Sequence, residues 1–132
     1  MIYMLGSCRQ MVQTLQKALE EVARKGDVVY YEQIRHLSSA SRLTGKHFVA
    51  VISDELGEMA RDEHEMGRPL LPVVVVSQAR GEGGVQMPGQ GFFTVARELG
   101  VFVGGSELDF FRSELARVYQ YWQSVEVRQR PQ

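Results

Sequence analysis

Apolar residues at Met11, Val12, Leu15, Leu19 and Val22 recur at the spacing of one helix face and predict a helix over about 7–25. Ser7 and Gln10 have capping-box spacing at its start, and Gly26 is its natural stop. Asp27-Val28-Val29-Tyr30 is β-branched and aromatic and reads as an extended entry to a second, short helix over about 31–37. The Ser38-Ser39-Ala40-Ser41 run then breaks the pattern, because its hydroxyls compete for backbone hydrogen bonds. Phe48, Ile52, Leu56, Met59 and Ala60 form the stripe of a long helix over about 46–66, with Thr44 as N-cap and Gly67 as stop.

The continuous apolar run Val73-Val74-Val75-Val76 predicts a strand buried on both faces, with Pro72 confined to its beginning or to an edge. The flexible tip Arg80-Gly81-Glu82-Gly83-Gly84 and the return segment Val85-Gln86-Met87 complete a two-stranded β-hairpin. Pro88-Gly89 predicts a turn with the glycine at positive φ. A short helix over about 92–99 stops at Gly100. Ser106 caps a last helix whose stripe is Leu108, Phe111, Leu115, Val118 and Trp122, and a polar tail follows from Glu126.

These elements predict one α+β domain over 1–132. Its winged helix-turn-helix core spans about 27–100, preceded by an N-terminal helix and followed by two C-terminal helices, the last over about 106–124. A length of 132 residues with 44% apolar and 23% charged positions suits one soluble domain with a sizeable core. Fifteen Lys and Arg against sixteen Asp and Glu leave a formal charge of −1, so any nucleic-acid contact must be local. The chain holds a single cysteine, Cys8, which cannot close a disulfide within the chain and suits a reducing, cytoplasmic setting. No apolar stretch reaches the roughly 18–20 residues of a membrane span.

Candidate chemistry is sparse. The glycines at 81, 83, 84, 89 and 91 lack the Lys-Ser/Thr pair that a phosphate loop needs, so they read as turns. Glu58, Asp62, Glu63, His64 and Glu65 lack metal-ligand spacing and read as a solvated acidic face, so no metal or other cofactor is expected. Cys8 has no His or Asn near it in sequence and reads as a small inert hydrophobe. No catalytic constellation assembles. The segment 38–47 differs: it holds hydroxyls and cations and no acid, at the start of a helix where free N–H groups favour phosphate. Ser39, Ser41, Arg42, Thr44 and Lys46, with Arg80 from the wing, are therefore the candidate DNA-binding residues.

Val28-Val29-Tyr30-Tyr31-Glu32-Gln33-Ile34, the Ser/Arg-rich turn, the long helix and Leu71-Pro72-Val73-Val74-Val75-Val76 together resemble the winged-helix DNA-binding domain of alkyltransferase-like proteins, relatives of the O6-alkylguanine-DNA alkyltransferases. The resemblance covers about 27–77. It implies a winged-helix fold and duplex DNA as partner, with Arg42 or Lys46 nearest to the family's helix arginine. The family's Pro-Cys-His-Arg acceptor segment is replaced by Val75-Val76-Ser77-Gln78, and Cys8 lies too far upstream to stand in for it, so alkyl transfer is not implied. The stretch from Gly67 to Phe92 also resembles uncharacterised bacterial and phage proteins, which implies no activity. The resulting expectation is a non-catalytic DNA-binding protein in a regulatory, phage or defence role. The alternative is a protein–protein interaction module that uses the acidic long helix and the aromatic last helix (Phe110, Phe111, Tyr119, Tyr121, Trp122).

Overall fold

The computed structural model describes residues 14–129, and the expectations for Ser7, Cys8, Gln10, Met11 and Val12 lie outside them. Helix α1 is described over 14–24 and buries Leu15 and Leu19 of the expected stripe together with Ala23, while Val22 is half-buried. Gly26, at φ +71, ends it where the sequence demands a left-handed residue. Strand β1 (Val29–Tyr30) follows, then a 3-10 turn over Tyr31–Leu37 that buries Ile34. Gln33 reaches back to accept the Tyr30 N–H at 2.9 Å, which fixes the junction between the two.

Helix α2 (Gly45–Glu65) is the long helix of the pattern, and Gly67 at φ +75 ends it. Its buried face holds Phe48, Ile52, Leu56, Met59 and Ala60, with Gly57 among them. A Cβ at Gly57 would stand 3.4 Å from Val95 Cγ2, on helix α3 (Gln90–Glu98), an ordinary contact distance. Helix α4 (Glu107–Gln129) closes the structure. Ser106 caps it as expected, its Oγ accepting the Asp109 N–H at 3.2 Å. Phe111, Val118 and Trp122 are buried beneath α4.

The Val73–Val76 run is wholly buried, as its continuous apolarity demands, but half of it is not strand. Pro72 is the second residue of a 3-10 turn over Leu71–Val74, where its fixed φ suits the first turn and its missing N–H costs nothing. Only Val75–Val76 is extended, as strand β2. The expected hairpin partner is also replaced: β2 pairs in parallel with β1, Val29 opposite Val75 and Tyr30 opposite Val76. The architecture is thus mostly helical around a two-stranded parallel sheet.

The 77–87 excursion keeps hairpin character without a ladder. Ser77 N–H donates to the Met87 carbonyl at 2.9 Å, Gly81 N–H to Val85 at 2.9 Å, and Arg80 forms one antiparallel bridge with Gln86. Its tip is tethered rather than free. The Glu82 carboxylate accepts the Ser106 hydroxyl at 3.2 Å and the Leu108 N–H at 3.4 Å, so it sits at the positive end of α4. Gly89 departs from expectation too. Its φ is −69°, and it serves as N-cap of α3. A Cβ there would stand 3.3 Å from Tyr31 Oη.

Two other surfaces differ from their sequence reading. Glu63 belongs to the interior, its side chain 2% exposed, bonded by Arg68 Nε at 2.9 Å, Arg68 Nη2 at 2.8 Å and Gln16 Nε2 at 3.0 Å. Phe110 and Tyr121 are half-buried. Phe110 stacks on Phe102 at 4.6 Å, and Tyr121 meets Trp122 edge-on at 5.0 Å. Among the described residues no helix is long and apolar enough to cross a membrane.

Candidate nucleic-acid interface

The polar turn before α2 is held in place by two residues that the sequence reading did not single out. Arg35 forks onto Glu32 through Nε and Nη2, both at 2.8 Å, and its Nη1 donates to the Leu43 carbonyl. Its guanidinium also lies 3.8 Å from the Phe48 ring centre, a cation–π contact that ties the turn to α2. The hydrogen bond with Arg35 holds the Glu32 carboxyl below its usual range and pushes the Arg35 guanidinium upward. At the other end of the turn, Ser38 Oγ donates to the Glu55 carboxylate and accepts the Ala40 N–H at 2.9 Å. Glu55 also accepts the Ser39 N–H at 3.4 Å. The turn is therefore rigid from inside.

What it presents outward is the candidate set. Ser39, Arg42, Thr44 and Lys46 are exposed and Ser41 is half-buried. Thr44 occupies the N-cap position with extended backbone (φ −131°, ψ 163°), but its hydroxyl makes no capping bond. The first-turn N–H groups of α2 therefore lack a side-chain acceptor, and no acid stands in that turn. Residues 33–53 contain no Asp or Glu at all. Arg42 and Lys46 make no ion pair among the described residues, whereas Arg24, Arg35, Arg61, Arg68, Arg97 and Arg117 each have a carboxylate. The chain thus brings five of the six candidates together in one turn. Arg80 lies apart in sequence, exposed, with Nη1 donating to the Gly84 carbonyl at 3.0 Å.

Beside this turn, an open cleft of about 550 Å³ lies between the first turns of α2, the chain leaving β1 and β2, and the start of α3. Gly45, Phe48 and Val49 form its α2 side, and Ser77, Gln78 and Gly89 face them. The six candidate side chains do not line it. No local pattern announces this cleft, because its wall is collected from segments distant in sequence. Among the described residues no three His, Cys, Asp or Glu are grouped so as to hold a metal ion. Comparison of the chain with protein-family models, with curated proteins and with solved structures finds no match.

Proposed function

We propose that this chain is a non-catalytic DNA-binding domain whose turn 39–46 engages the phosphate backbone of duplex DNA. The observation that carries the reading is the charge distribution at the start of α2. Two exposed cations without carboxylate partners flank an uncapped, acid-free helix N-terminus, where dipole and free N–H groups favour an anion. Elsewhere on the surface most arginines are already neutralised by a carboxylate within the chain. Ser39, Ser41 and Thr44 supply neutral hydroxyls that bond phosphate oxygens and position the protein without reading sequence.

The finer reading is a winged-helix arrangement. In it α2 is the recognition helix, the 31–37 turn is the preceding helix of the pair, and the 77–87 excursion with Arg80 is the wing. The acids of α2 begin at Asp54, so only its first two turns can approach a phosphate chain. Contact is then shallow, and the affinity is of the non-specific order.

Fluorescence anisotropy of a labelled duplex across a salt series tests this. Three cations at the interface predict micromolar to sub-millimolar binding near physiological salt, with a slope of log K against log salt of about −3. The double variant Arg42→Ala, Lys46→Ala should flatten that slope by about two units and weaken all sequences alike. Absence of binding at low salt, or an unchanged slope in the double variant, would refute the proposal.

A further inference from the structure

The cleft beside α2 carries an inference that is independent of phosphate binding. Its volume of about 550 Å³ falls within the range of small-molecule sites, roughly 300–1,000 Å³. It opens where the two parallel strands end. Three rings contribute to its wall, and each is fixed before any ligand arrives. Tyr30 Oη donates to Gln86 Oε1 at 2.9 Å, Tyr31 Oη accepts the Gly89 N–H at 2.8 Å, and Phe48 is covered by Arg35. A wall already immobilised spares a ligand the entropy of ordering it.

The hydrogen-bonding capacity left over in this wall is neutral. The Ser53 hydroxyl and the Gln78 carboxamide make no hydrogen bond among the described residues, and neither the Tyr31 nor the Ser77 hydroxyl proton has an acceptor there. The only charged side chains of the lining, Glu32 and Arg35, are consumed by their own fork. The half-buried Tyr30 and Tyr31 rings select a ring. Spare donors and acceptors select a ring with heteroatoms on its rim, since an apolar ring would leave those groups unpaired. No charged side chain of the lining is free to pair with an ion. We infer that the cleft binds an uncharged aromatic heterocycle of nucleoside size, taken up free from solution.

Isothermal titration calorimetry with adenosine, guanosine, cytidine and uridine tests this on the whole chain, with indole and adenosine monophosphate as controls. At least one nucleoside should bind with a Kd on the order of 10–100 µM, and indole should bind about tenfold more weakly or worse. The monophosphate should bind no tighter than adenosine. Ser53→Ala should weaken binding by about three- to tenfold, the loss of one hydrogen bond. Gly91→Leu should abolish it, because a Cβ at Gly91 stands 3.6 Å from Ser53 Cβ and a longer side chain fills the cleft. Arg42→Ala, Lys46→Ala should leave it unchanged, which separates this site from the phosphate surface. The inference is overturned if no nucleoside saturates the protein by about 2 mM. It is equally overturned if indole binds as well as the nucleosides, if the monophosphate binds tighter than adenosine, or if Ser53→Ala and Gly91→Leu, both folded by circular dichroism, bind like the parent.

Discussion

Arg68→Met isolates the most consequential ion pair of the interior. Glu63 has a side chain 2% exposed, and Arg68 supplies two of its three hydrogen bonds, at 2.8 and 2.9 Å. The substitution leaves a buried carboxylate with Gln16 alone, at 3.0 Å. Removing one partner of a buried pair costs about 3–5 kcal/mol, since the remaining charge keeps its desolvation penalty without compensation. Met retains much of the aliphatic bulk, so loss of packing is the minor part. The Arg68 guanidinium also lies 5.9 Å from the Trp122 ring, a contact worth about 0.5–1 kcal/mol. Domains of this size are stable by about 5–15 kcal/mol, so the variant should fold with a sharply lower urea midpoint. The double variant Glu63→Leu, Arg68→Met removes both charges and should recover most of the loss, because an apolar pair of similar volume carries no desolvation penalty. Trp122 is the chain's single tryptophan, so its fluorescence follows the transition directly. If Arg68→Met lies within about 1 kcal/mol of the parent, or the double variant is no more stable than the single one, the reasoning fails.

Gly57→Ala should stabilise the domain by about 0.4–1 kcal/mol, because the new Cβ meets Val95 Cγ2 at 3.4 Å and Arg61 Nη1 at 3.5 Å, ordinary contact distances, while the helix loses a flexible residue. A lower thermal midpoint would show that α2 and α3 have no room to give. At alkaline pH, burial raises the Tyr31 phenol above its ordinary 10.0, with the Gly89 N–H bond opposing in part. A raised folded-state value means that the native state holds this proton longer than the unfolded chain. Its contribution is therefore complete below about pH 10 and lost as pH rises through the folded value. Urea midpoints measured from about pH 9 to 11 should decline less steeply in Tyr31→Phe than in the parent, and parallel declines would count against this account.

The sequence pattern is most informative where structure is local. Gly26, Gly67 and Gly100 all adopt positive φ at helix ends, because a left-handed stop is decided within one turn. The burial of Val73–Val76 is equally legible, since an uninterrupted apolar run has no polar face to turn outward. Its pairing is not: the partner of Val75 is Val29, and nothing near either residue distinguishes a parallel ladder from a hairpin. Glu63 shows the same limit from the other side. It is one of several carboxylates on α2, and only its placement between Gln16 and Arg68 makes it a core residue. The polar turn at 39–46 stands out in composition, whereas its scaffold, Arg35 and Glu55, acts through contacts up to 17 residues apart. The cleft is illegible for that reason in full, as its lining comes from four separate stretches of chain.

The parallel pairing of β1 with β2 also sets an order of events for the folding chain. A parallel pair cannot be closed by a turn, and here the whole of α2 lies between the two strands. The ends can meet only after the entropy of that long loop has been met by docking α2 against Leu71–Val74. Helix docking therefore leads and the sheet follows. Truncating Val75 or Val76 should then mainly accelerate unfolding, while truncating Ile52 or Leu56 should slow folding itself. The strand ends that frame the cleft are thus set only after α2 has docked.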